Sequence, residues 1–264
     1  MSADLFFWLA IAIKMAVTAG FVVLATATAE RAGALIGALV ATLPIAAGPA
    51  YVFVALDHDP QFIATSALGS LAVNAVTAVF ALTYAVAAQT FPLAVSVAAA
   101  LAVWTVLALI VRSVEWSLTS VLALNIVVIP LCVAIGRRFR DVPMPLMTRR
   151  WYDIPLRAAM AAVLVAVVVV SSTRVGPTVT GMLAVFPIVL TSLMLILQPR
   201  LGGRATAAVL TNTISGLAGF ACCLLALHLA AVPLGSPLAL TLALAVSIAA
   251  NLSIWMARRR GLPI

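Results

Sequence analysis

Lys14 lies nine residues inside the first long apolar run of the chain, and Arg157 stands at the start of another such run 143 residues later. Hydrocarbon solvates charge poorly, so an ammonium at that depth has to face a wet cavity, pair with an anion or lose its proton. At about 1.5 Å per residue Lys14 is roughly 15 Å along its helix, which strains any snorkelling to the nearer interface. Arg157 is closer to a membrane boundary and serves as readily as a cytoplasmic anchor. Both are candidate contacts for an anionic solute.

Backbone supplies a second kind of chemistry. The segment Leu43-Pro44-Ile45-Ala46-Ala47-Gly48-Pro49 puts two prolines and a glycine near mid-run, and Val185-Phe186-Pro187-Ile188 puts one proline at the corresponding depth. Proline removes a helix donor and clashes with the preceding turn, so both helices should kink or open there. Broken helices in a bilayer line cavities or lie buried in protein, and their amides can point at an anion. Pro44, Gly48, Tyr51 and Pro187 are therefore candidate substrate contacts, with ordinary buried kinks as the competing reading. Polar stripes are the third feature. Ser66, Gly69, Ser70, Asn74 and Thr77 fall on one helical face, and Thr211, Asn212, Ser215, Gly216 and Gly219 fall largely on another. Small residues let helices approach closely and amides bond across the contact, so the stripes glue helices together or line a site. Ser70, Asn74, Asn212 and Ser215 are the candidates for lining.

No acidic residue lies deep in a run, so coupling through a buried carboxylate has no obvious owner. Asp57-His58-Asp59 reads first as a solvated outer loop closed by Pro60. HExxH spacing and a glycine-rich phosphate loop are both missing, so neither a metal, a cofactor nor an enzymatic activity is expected. Cys132, Cys222 and Cys223 sit in apolar stretches as small packing residues, His228 reads as interfacial packing, and Arg200 and Arg204 read as lipid contacts.

The elements that must position these residues follow from composition. Of 264 residues 65% are hydrophobic and 8% charged, and the apolar residues gather in runs near the ~20 residues that span a bilayer. The chain is therefore expected to be an all-α polytopic membrane protein. Nine spans fit: 5–28, 33–56, 62–86, 91–111, 117–136, 155–172, 176–197, 206–229 and 236–257. The first lacks a positive leader and a cleavage region and reads as a retained helix. If successive loops alternate sides, one side receives twelve arginines and the other Arg112 and Arg174 with four acidic residues. The positive-inside bias then puts the N-terminus outside and the C-terminus in the cytoplasm of a bacterial inner membrane. The net charge of +8 suits the anionic leaflet rather than nucleic acid. Association with a second copy of the chain is left open.

The spacing of 143 also relates Trp8 to Trp151, Arg31 to Arg174, Gly33 to Gly176 and Pro44 to Pro187. It maps the first four spans onto the last four and leaves the fifth as connector, giving repeat one at 1–112, the connector and basic loop at 113–150 and repeat two at 151–264. An offset of five spans is odd, so the repeats run in opposite directions, the inverted plan of secondary transporters. The stretch Val175-Gly176-Pro177-Thr178-Val179-Thr180-Gly181-Met182-Leu183-Ala184-Val185-Phe186-Pro187-Ile188-Val189, with a weaker counterpart from Gly33 to Pro44, resembles a motif of GlpM-like small bacterial inner-membrane proteins, here duplicated. That resemblance implies an inner-membrane location and no particular activity. The expected function is secondary transport of a small or amphiphilic anionic solute, or lipid, by alternating access. A noncatalytic scaffold or partner subunit, a channel and a lipid-phosphate flippase are the alternatives.

Overall fold

The computed structural model describes residues 3–31, 44–140, 142 and 150–259. Among them the helices are α1 (Ala3–Arg31), α2 (Ala47–Asp57), α3 (Pro60–Ala87), α4 (Leu93–Arg112), α5 (Leu118–Gly136), α6 (Asp153–Ala184), α7 (Ile188–Ile214), α8 (Gly216–Leu234) and α9 (Ser236–Arg259), with a 3₁₀ turn at Arg137–Phe139. Among the described residues seven helical stretches are long and apolar enough to cross a bilayer. The protein is an all-α, multi-pass membrane protein. The first part of the expected second span, residues 33–43, and with it the echo at Gly33, lies outside the described residues, which resume at Pro44.

Glycine divides the two longest stretches. Ile188–Leu234 runs for 47 residues, ~70 Å if straight and more than twice the ~30 Å hydrocarbon thickness. Gly202 leaves the helical conformation at φ 80°, and Gly176 does the same inside α6 at φ 76°. Only a residue without Cβ adopts these angles cheaply. Both fall in the loops that charge and turn residues mark in the sequence. Local chemistry sets other ends: Asp59 accepts from the amide of Phe62 at 2.8 Å with Pro60 first in α3, and Ser117 and Ser120 form a reciprocal capping box on α5.

The polar stripe makes α3 the hub of the bundle. It packs against α2, α4, α5, α6, α7 and α8, and 72% of its apolar window is buried against 17% for α1 and 22% for α9. Its small residues permit this. A Cβ on Gly69 would lie 2.5 Å from the Thr178 carbonyl oxygen, and one on Gly181 would lie 1.8 Å from that of Ser66. At the other end of α3 a Cβ on Gly203 would come within 1.9 Å of the Ala88 oxygen. Backbones in this close approach gain dispersion and hydrogen bonds that lipid does not offer.

Candidate functional site

The two proline segments meet. Pro44 to Ala47 and Val185 to Pro187 are both non-helical or at a helix start, and both line one cavity of about 420 Å³. Asn212 and Ser215 from the α7–α8 junction, Thr77 from α3 and Asn251 and Trp255 from α9 complete its polar wall. Four sequence candidates, Pro44, Pro187, Asn212 and Ser215, are thus gathered in one place. The first turns of α2 and α7 lie at this cavity, and neither helix has a side-chain N-cap. Helix N-termini carry positive potential, which favours an electron-rich group, but few amides are free to donate: Pro49 has no N–H, Gly48 donates to the Pro44 carbonyl and Ile188 to that of Phe186, and no charged side chain is in the described lining.

A second cavity of about 320 Å³ adjoins the first through Pro44, Ala47 and Phe220. Gly48, Tyr51 and Phe53 of α2, Val17 and Phe21 of α1, Cys223 and Leu227 of α8 and Leu240 of α9 wall it, so it is almost wholly apolar. The Tyr51 hydroxyl is occupied: Ser70 donates to the Gly181 carbonyl at 2.6 Å, which leaves Tyr51 as donor to Ser70, also at 2.6 Å. Ser70 therefore ties α2, α3 and α6 together rather than facing the cavity.

Asn74 likewise joins helices. Its amide donates to Asn125 Oδ1 of α5 and to the Leu217 carbonyl of α8, each at 3.0 Å, while Asn125 donates to the Leu71 and Val121 carbonyls. Both residues are buried, and the glue reading of the α3 stripe fits them. His228 bonds the Ala64 carbonyl through Nδ1 at 2.8 Å, and His58 bonds the Ser172 hydroxyl at 2.9 Å while stacking on Phe62. Neither imidazole is a solvated or loosely interfacial group.

The two cations of the opening pair stand at opposite ends of the bundle, away from the cavity between the breaks. Lys14 makes a 2.6 Å ion pair with Asp57 at the end of α2 and lies over the Phe53 ring, 5.9 Å from its centre. Arg157 is half-buried and acts through its charge on Asp153, the first residue of α6. Asp153, 7% exposed, is gripped by both terminal nitrogens of Arg200, one at 2.9 Å, and accepts from the Arg150 amide at 2.9 Å. Arg200 is therefore held by a carboxylate, not by lipid as the loop composition suggested. Tyr152 lies beneath Arg200, and hydrogen bonding to Arg200 and then Arg150 holds its phenol below the ordinary value. Asp153 was legible in principle, standing four residues before Arg157 on one helical face. Trp255 carried no sequence signal beyond its position in the last span.

No protein-family model, curated protein or solved structure matches the chain.

Proposed function

We propose that the protein is a membrane carrier built from two inverted four-helix repeats, moving a small amphiphilic solute with an anionic or oxygen-rich head through the cavity between the two helix breaks. The observation that carries this reading is the cavity itself: its floor is made by breaks at Pro44 and Pro187, which are equivalent positions at the 143-residue spacing. Positive helix ends supply the potential that Lys14 was expected to give.

The helix boundaries support the repeat. Leu93 and Ser236, the first residues of α4 and α9, are equivalent at that spacing. So are Asp59, just before α3, and Gly202, the break before the α8 limb. Along the bundle Ala88 adjoins Gly203, Asn74 bonds Leu217 and Ala64 bonds His228, so α3 and the segment 203–234 run antiparallel. Asn74 and Leu217 are themselves 143 apart. A residue that touches its own equivalent lies on the axis relating the repeats, and an axis between antiparallel helices lies in the membrane plane. On this reading the breaks at Gly176 and Gly202 divide the chain into nine crossings, with the arginine-rich loops cytoplasmic.

Reconstituted vesicles screened for uptake of small organic anions and of single-chain amphiphiles test the proposal. Saturable uptake that falls at least tenfold in Asn212→Ala together with Asn251→Ala is the expected result. Non-saturating flux would make the protein a channel, lipid scrambling alone a flippase, and no flux for any solute a scaffold.

A further inference from the structure

The two ends of the molecule are unequal in a way that the repeat makes measurable. Under the 143-residue spacing Asp57 is equivalent to Arg200 and Lys14 to Arg157, so the Lys14–Asp57 pair and the Arg157, Arg200 and Asp153 cluster occupy corresponding stations. They stand at opposite ends. His58 touches Ser172 at the far end of the helix that Asp153 begins, about 29 Å away at ~1.5 Å per residue.

What lies behind each station differs. Val17 and Phe53, one turn from Lys14 and Asp57 respectively, line the apolar cavity, and Phe53 sits under the ammonium. Among the described residues the corresponding place in the other half holds two rings. Phe80 and Tyr84 are the equivalents of the cavity-lining Cys223 and Leu227, both are completely buried, and Tyr84 donates to Gln198 at 2.6 Å. Met194 and Ile196, the equivalents of Tyr51 and Phe53, are buried with them. One half is therefore sealed by two rings, a buried amide and a bidentate ion pair. At the other, the described residues place the Lys14–Asp57 pair one turn beyond the cavity wall, its carboxylate 41% exposed, beside the His58–Ser172 hydrogen bond.

We propose, resting on the carrier reading, that Lys14–Asp57 is the gate of the cavity at the Asp57 end and that the molecule rests with its Asp153 end sealed. Opening then needs the separation of α1 from α2 at one ion pair, and solute reaches Phe53, Cys223 and the space beside Pro44 from that side.

Cys223 is a native reporter of access. In a chain carrying Cys132→Ser and Cys222→Ser, its reaction with a small, charged, membrane-impermeant methanethiosulfonate is followed in vesicles of each orientation. The expected rates are slow in the parent and at least fivefold faster from the Asp57 side in Lys14→Ala and in Asp57→Asn. The exchanged pair Lys14→Asp with Asp57→Lys should return the rate to within twofold of the parent. Arg200→Ala should not raise labelling from the Asp57 side. Equal rates in parent, Lys14→Ala and Asp57→Asn overturn the gate, as does faster labelling from the Asp153 side in the parent. Monodispersity in detergent identifies a variant that has lost its fold, and Asp57→Asn, which keeps the shape of the side chain, then decides. Labelling reports access without transport. Unchanged rates with intact uptake remove the gate and leave the carrier, whereas gated labelling with no uptake of any solute upholds the gate and removes the carrier.

Discussion

A methyl group at position 181 would fall 1.8 Å from the Ser66 carbonyl oxygen, a contact that backbone movement alone can relieve. Overpacking of this kind typically costs ~1–3 kcal/mol. Gly181→Ala should therefore lower the unfolding temperature in detergent by several degrees and disturb the Ser70 bond to the Gly181 carbonyl. Gly20→Ala is the contrast: nothing lies within 4 Å of that Cβ, and α1 is helical there, so the helix gains up to about 1 kcal/mol. If both variants melt alike, close approach of α3 and α6 is not what Gly181 provides. The sequence marked the glycines and hydroxyls of the α3 stripe as helix-packing or site-lining residues by type alone. Which carbonyl each would meet was not legible, because Thr178 and Gly181 lie more than a hundred residues away and their register depends on the turn at Gly176.

At the scale of elements, the Asn74 amide ties α3 to both α5 and α8. Replacing Asn74 with Ala removes donors to Asn125 and Leu217 and leaves their oxygens buried. Hydrogen bonds between membrane helices are worth ~0.6–1.7 kcal/mol each, so Asn74→Ala should cost about 1–3 kcal/mol. A double-mutant cycle with Asn125→Ala should give a coupling of ~0.5–1.5 kcal/mol, measured by unfolding in mixed micelles; additivity within error would show that the two amides act separately. Helix positions were the most readable feature of the chain, since a 20-residue apolar run bounded by charge has few other solutions in lipid. The helix starts just past Pro44 and Pro187 were readable from proline itself, which cannot complete the ladder. That they line one cavity with Asn212 and Ser215 is a property of the folded chain, and the proposed repeat is one account of it. Lys14 was different. Its depth demanded a partner, but Asp57 reads as loop until the end of α2 is folded back beside α1.

For the molecule as a whole, the proposed repeat supplies its own test, because under it each half is a template for the other. Exchanging Phe80 for the residue at its equivalent position, and Tyr84 likewise, gives Phe80→Cys with Tyr84→Leu, which should hollow the sealed half into the image of the open one. Large-to-small replacement of a buried ring costs ~3–5 kcal/mol, so the folded state survives this change only if part of the loss is recovered by rearrangement. The alternative arrangement is the one in which the space beside Pro187 opens toward Asp153 and the space beside Pro44 closes. The exchanged protein should then admit thiol reagent to position 80 from the Asp153 side while labelling of Cys223 from the Asp57 side slows. An increase at position 80 with no change at Cys223 would mean that the two halves open independently, and coupled exchange of access between them would be lost as the basis of transport. The opposing movement of the two rates is what a carrier requires and what a channel or scaffold has no reason to produce, since a solute can cross one at a time only if removing one seal installs the other.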